Sequence, residues 1–230
     1  MSAAPTPSPI VAPVPASPAD PALPRPWLDG DALVLELDAE WDCLSSAVLG
    51  GGSARMRSWL NLQVPPDYGR TDPERHLAER GAGLAAPVVG MMTAADVGAF
   101  AEAREGSARA LATVGVTHAL AAAGRRPRMV PSVGTINVLV LAGAPLTGAG
   151  LAGALQTAVE AKAQALADAR VPAANSDGPA TGTATDSICV ACPRGAGEPF
   201  AGPATKTGSE IARAVHAAVL AGAAGGGRAR

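Results

Sequence analysis

Gly134-Thr-Ile-Asn-Val-Leu-Val-Leu-Ala142 is the stretch that decides the fold. It is a nearly continuous apolar run, as expected of a central strand covered on both faces, and Asn137 is its one polar side chain inside the strand. Downstream, Thr147 is placed to cap a long helix running to about Ala169, and another strand is expected over roughly Thr183–Ala191. A Pro/Gly loop then leads to a last helix, for which Thr207-Gly-Ser-Glu210 reads as a capping box. Upstream, Pro87–Met92 and Arg109–Val116 suggest strands, with a short helix from about Ala94 to Glu105 between them.

Ser58-Trp-Leu-Asn-Leu-Gln-Val64 alternates, so Leu60, Leu62 and Val64 are expected to face a core and Trp59, Asn61 and Gln63 a polar side. Before it, Ala32–Leu37 reads as a strand, Asp38–Glu40 as a turn and Trp41–Leu49 as a partner strand ended by Gly50-Gly-Gly52. After the Pro65–Pro66 break, Asp72-Pro73 supplies an N-cap and first helical position for a short helix to about Arg80. The expected architecture is α/β, with mixed α+β as the alternative: a single compact domain with a largely buried mixed sheet flanked by helices. It spans residues 27–224, between a disordered Pro/Ala-rich tail at 1–26 and a flexible tail at 225–230.

Composition narrows the function. Hydrophobic residues make up 48% of the 230 and aromatics only 3%, so the core must be assembled from Ala, Val and Leu. A net charge of −2 and a pI near 5.9 provide no basic field for nucleic acid. No apolar run approaches the ~20 residues needed to span a bilayer, and the first residues lack a basic and apolar secretory leader, so no membrane partner and a cytoplasmic location are expected. Cys43, Cys189 and Cys192 are too few for a disulfide framework. Cys189 and Cys192 match C-x-x-C, but three residues apart on a strand they point to opposite faces, which favours packing over metal binding. His76, His118 and His216 are widely spaced, so no metal site is predicted.

On the long helix, a step of about 100° per residue puts Leu155, Val159 and Leu166 on one stripe with Lys162 in its middle. Such a lysine either snorkels to water or is a partly desolvated amine able to carry a proton or anchor a carboxylate. Glu160 falls on the opposite side with Gln156 and Gln164, a row typical of a solvated face. Asp186 enters an otherwise uncharged element; read as extended, Gly182, Ala184 and Asp186 share a face with Ile188 and Val190. Such a carboxylate either ties down a Gly/Thr turn through backbone N–H groups or serves a site. Asn137 and Asn61 are either cross-braces or amides aimed at a ligand carbonyl. Thr93 and Asp96 read as caps at the end of a strand, which is also where open α/β sheets place ligands. Ser45-Ser46 and Gly50-Gly-Gly-Ser53 complete neither a nucleophile elbow nor a phosphate loop.

Taken together, Leu44-Ser-Ser-Ala47, Asn61-Leu-Gln-Val64, Gly90-Met-Met-Thr-Ala-Ala-Asp96, Gly134-Thr-Ile-Asn-Val138, Glu160-Ala-Lys162, Thr181-Gly-Thr-Ala-Thr-Asp186 and Ala201-Gly-Pro203 resemble the CbiZ-type adenosylcobinamide amidohydrolase family. The resemblance implies removal of the aminopropanol arm of adenosylcobinamide to give adenosylcobyric acid for cobalamin salvage. It implies that Asp186, Lys162, Glu160 and Asn137 form one catalytic constellation. Asp186 is then the expected base, Asn137 or a backbone N–H the oxyanion donor, Lys162 the charge or proton carrier, and Glu160 its orienting partner. A direct nucleophile, Thr183 or Thr185, is the alternative to an activated water. Asn61, Gln63, Thr93, Asp96, Thr135, Thr183 and Thr185 are the expected substrate contacts. No cofactor is implied, because cobalt belongs to the corrinoid substrate, and homo-oligomerisation is left open. His118 stands where the family pattern has Asn, so it is not taken as the base. Two other readings compete: a corrinoid carrier or sensor without catalysis, and an unrelated α/β protein whose Gly/Thr strings are turns.

Overall fold

The computed structural model describes residues 23–126 and 134–225; most of the expected N-terminal tail and residues 226–230 of the C-terminal one lie outside the described residues. Strands β1 (Trp27–Asp29), β2 (Ala32–Ser45), β3 (Gly52–Gln63), β4 (Val88–Thr93), β5 (Ala101–Glu105), β6 (Ala108–Val114), β7 (Ile136–Leu141) and β8 (Ser187–Cys192) form one sheet. Its order is β4-β3-β2-β8-β7-β6-β5, with β1 paired to β2. The β3–β4 and β7–β8 pairs are parallel and the others antiparallel, so the sheet is mixed. Helices α1 (Pro73–Arg80), α2 (Gly148–Asp168) and α3 (Lys206–Gly225) flank it. This is the expected α/β architecture in a single compact domain.

The sheet folds back on itself. Leu33, Leu35, Trp59, Val89 and Met91 from one half meet Leu111, Leu139, Leu141, Cys189 and Ala191 from the other in one buried cluster. Consequently both faces of β3 are covered: Leu60 and Leu62 pack against Leu77 of α1, while Trp59 and Asn61 are wholly buried inside the curl. The expected polar face of this strand is therefore interior, because its partner layer comes from strands distant in sequence. Outside the other half, α2 and α3 cover β6, β7 and β8 with Ala154, Ala158, Ala165, Ala214 and Ala218. These small side chains let backbones approach closely, as the aromatic-poor composition demands.

Three local expectations need correction. Asp38–Glu40 is not a turn: β2 runs through it, with a register shift between Glu36 and Trp41 of the kind a β-bulge produces. The reversal comes later, at Gly50 and Gly52, whose φ values of +67° and +81° suit glycine. Ala94–Glu105 is not a helix but a 3-10 turn at Val97–Ala99 followed by β5, whose half-buried and exposed residues alternate with period two. The last helix is capped by Thr205, whose Oγ1 accepts from Gly208 N at 3.0 Å. Glu210, expected to close a capping box, instead accepts from Ser107 N and Oγ.

Other expectations hold. Every residue of β7 is buried, as a central strand requires. Thr147 Oγ1 accepts from Gly150 N at 3.1 Å at the start of α2. The cysteines are free, with Cys189 in the interior cluster and Cys192 in the helix-facing one. Within the segment expected to be a tail, Leu23 packs on the interior cluster and Pro24 O accepts from the buried Arg109.

Candidate active site

The turn at Gly182–Thr185 lies at the end of the sheet where β7 and β8 begin. Strand β8 starts at Ser187, not at Thr183, because the preceding residues bend: Leu120 N donates to Gly182 O at 2.8 Å and Gly182 N returns a bond to Leu120 O. Asp186 therefore does not point from an extended strand. Its carboxylate turns into the bend and accepts from Thr183 N at 3.1 Å and from Ile136 N at 3.0 Å. Lys162 of α2 closes an ion pair on Oδ2.

Both members of this pair are nearly withdrawn from water, with side chains 8% and 12% exposed. A buried charge persists only when paired and hydrogen-bonded, and here one carboxylate meets an ammonium and two backbone N–H groups. The first reading of Asp186 is seen directly: it ties down the Gly/Thr turn through backbone N–H groups, and it also pairs with a cation delivered from another element. Gly182 makes the approach feasible, since a Cβ there would lie 2.7 Å from Lys162 Nζ and closer still to Asp186 Oδ2. On α2 the buried face centres on Ala154, Ala158 and Ala165, so Lys162 lies within it while Val159, expected on the apolar stripe, is exposed.

Threonines surround the carboxylate. Thr183 Oγ1 contacts Asp186 Oδ1 and lies 2.6 Å from Gly134 O. Thr185 Oγ1 lies 3.2 Å from the same carbonyl and 2.7 Å from Thr135 Oγ1. Thr183, Thr185, Thr135, Lys162 and Asp186 are thereby one connected group.

Other expected residues lie elsewhere. Glu160 is exposed and accepts from Gln156 at 3.0 Å; two residues from Lys162 on a helix, it stands on the far side of α2. Asn137 follows Ile136 directly, so its side chain enters the opposite face of the sheet. There Asn137 Nδ2 donates to Asn61 Oδ1 and Met92 O, both at 2.8 Å, and Asn61 Nδ2 donates to Thr113 Oγ1 at 2.9 Å. This chain of amides braces β3 and β4 against β6 and β7 across the interior, leaving Asn137 Oδ1 buried with no hydrogen-bond partner among the described residues. Gln63, Thr93 and Asp96 serve the turn after β4, accepting from Val97 N, Ala95 N and Gly98 N respectively. His118 lies half-buried between β6 and the Leu120–Gly182 bridge. Among the described residues no group of three His, Cys, Asp or Glu side chains is placed to hold a metal ion.

Sequence reasoning missed the backbone contributors: Ile136 N, Gly134 O and Leu120. Backbone groups leave no residue-type signal, although the Gly in Thr-Gly-Thr marks where a side chain is excluded.

The protein is thus of the α/β class, a curled mixed sheet with a lysine, an aspartate and threonine hydroxyls gathered where β7 and β8 begin. The sequence profile of the CbiZ family, adenosylcobinamide amidohydrolase, matches residues 25–227, and the chain belongs to that family. Amide hydrolysis is therefore its general class of chemistry. Over 200 residues the chain is 28% identical to the adenosylcobinamide amidohydrolase of Methanosarcina mazei, covering 82% of this chain and 92% of that protein. A stretch of 96 residues is 35% identical to an uncharacterised protein of Methanocaldococcus jannaschii, 40% of this chain and 38% of that one. No helix among the described residues is long and apolar enough to cross a membrane.

Proposed function

We propose that this protein hydrolyses the amide joining the aminopropanol arm to the corrin ring of adenosylcobinamide, releasing adenosylcobyric acid for cobalamin salvage. Family membership supports the substrate class. The observation that carries the assignment of the site is the Asp186 carboxylate, held between the Lys162 ammonium and the backbone of β7 with a threonine hydroxyl against it.

Cleavage of a resonance-stabilised amide needs a nucleophile relieved of its proton, donors for the developing oxyanion and a proton for the departing amine. Asp186 takes and returns the proton. Lys162, paired with Oδ2, holds the carboxylate in place against the threonine hydroxyl. Both N–H bonds of Asn137 are engaged by Asn61 and Met92, so Asn137 acts by bracing the start of β7; Thr181, Gly182 and Thr183 N are likewise engaged, which leaves the oxyanion to backbone N–H groups beyond them in the turn. The exposed Thr185 flanks the reacting group and offers its hydroxyl to the peripheral amides of the ring, with the buried Thr135 orienting it.

The test is direct: purified protein is incubated with adenosylcobinamide and free 1-amino-2-propanol is measured. Release at a rate proportional to enzyme is expected. Tight binding of the corrinoid without release would replace this reading with that of a carrier or sensor.

A further inference from the structure

We propose that Thr183 is the nucleophile and that the reaction passes through a threonyl ester of the corrinoid acid. The inference rests on the amide-hydrolysis reading above and deepens it.

Proton counting singles out this hydroxyl. Thr183 Oγ1 carries one hydrogen, yet two acceptors face it: Gly134 O at 2.6 Å and Asp186 Oδ1 in direct contact. A hydroxyl cannot donate fully to both, and of the two acceptors only the carboxylate can take the proton as a base. The acceptor is also anchored. Asp186 is held by Ile136 N on Oδ1 and by Thr183 N and Lys162 Nζ on Oδ2, which fixes the carboxylate against the hydroxyl it must deprotonate. A nucleophile touching its base, with the base oriented by a third group, is the general signature of covalent catalysis at a hydroxyl.

The neighbouring hydroxyls lack this arrangement. Among the described residues, Thr185 Oγ1 meets only Thr135 Oγ1 and Gly134 O. Thr181 Oγ1 accepts from Ala122 N and faces Leu120 O. Ser46 and Ser187 face each other at 3.3 Å. Thr183 is half-buried and adjoins the exposed Ala184 and Thr185, which places it at the edge of the turn with Asp186 against its hydroxyl.

The steps balance with water as the only co-reactant. Thr183 Oγ1 bonds to the scissile carbonyl carbon as its proton passes to Asp186. The C–N bond then breaks, that proton goes to the amine nitrogen, and 1-amino-2-propanol departs, leaving the ester. Water attacks the ester carbon, giving a proton to Asp186; the C–O bond to Thr183 breaks, the proton returns to Oγ1, and the corrinoid acid is released. Lys162 takes no part in these proton transfers.

The experiment uses the full chain as wild type, Thr183→Ala and Thr183→Ser, each with adenosylcobinamide in the presence and absence of hydroxylamine. An ester partitions between water and hydroxylamine after the amine has left. The wild type is thus expected to form a corrinoid hydroxamate at the expense of the acid. Thr183→Ala should lose at least about 1,000-fold in both products, as expected on removing a nucleophile. Thr183→Ser should keep hydroxamate formation. Thermal melts of the variants separate loss of chemistry from loss of fold. The assignment is overturned by aminopropanol release from the wild type without hydroxamate, or by hydroxamate formation persisting in folded Thr183→Ala. Absence of aminopropanol release from the wild type overturns the amide-hydrolysis reading and this one with it.

Discussion

Lys162 of α2 and Asp186, 24 residues further along the chain, are joined as an ion pair at the point where β7 and β8 begin. The pair links a helix to the turn that precedes a strand, so the placement of the carboxylate depends on how α2 packs on the sheet. A change at any of the three contacting elements is therefore felt at the carboxylate.

Replacing Asp186 by Asn preserves an oxygen for Ile136 N but removes the charge and the proton acceptor. Turnover should fall by at least about 100-fold, the range of general acid–base contributions. Near-normal aminopropanol release from this variant would take Asp186 out of the reaction.

Gly182→Ala places a methyl against Lys162 Nζ and Asp186 Oδ2, which must separate to admit it. Overpacking of this kind destabilises by about 1–3 kcal/mol, and turnover should fall with it because the carboxylate moves relative to Thr183. A melt and a rate equal to wild type would show that the turn has room to spare.

Asn137→Ala strips a donor from both Asn61 Oδ1 and Met92 O inside the curl. Each buried polar group left unsatisfied costs about 1–3 kcal/mol, so the urea midpoint should drop clearly. Asn61→Ala should add less in the Asn137→Ala background than in wild type, since the two residues share one hydrogen bond. Strict additivity would argue that the bridge contributes nothing.

Glu102 provides a pH test. Burial pushes its carboxyl up, but the Arg109 and Arg104 guanidinium groups outweigh this and hold it below its usual value of 4.5. A carboxylate depressed on folding contributes stability that is present above its unfolded value and is lost as pH falls through the folded one. Melting temperature should thus decline below about pH 4.5 more steeply in wild type than in Glu102→Gln. Parallel curves for the two proteins would remove the pair from the acid response.

The thiols should be silent in the native state. Hydrogen bonding to Cys43 and then burial push the Cys189 thiol well above its usual range, and all three cysteines are buried. Hydrogen bonding with Cys189 instead lowers the Cys43 thiol, so its protection rests on its complete burial, and a thiol reagent should label none of the three rapidly until denaturant is added. Fast labelling of any of them in the folded protein would show that the interior opens.

Several features were legible in the sequence because they depend on what sits next to what along the chain. The apolar run at 134–142 demanded cover on both faces, Thr147 could be seen to cap a helix, and the three-residue spacing of Cys189 and Cys192 sent them to opposite sides of a strand. Lys162 and Asp186 stood out as charges in apolar surroundings, and a charge so placed needs a partner. Which partner each would take was not legible. Tertiary structure alone decided that Lys162 and Asp186 answer each other, that Glu160 faces away, and that Asn61 and Asn137 meet across a curl that buries both faces of β3. The physical reason is that periodicity reports whether a side chain is covered, whereas the identity of what covers it is set by strand order and sheet curvature. Those arise from contacts between segments far apart in the chain, and no local pattern records them.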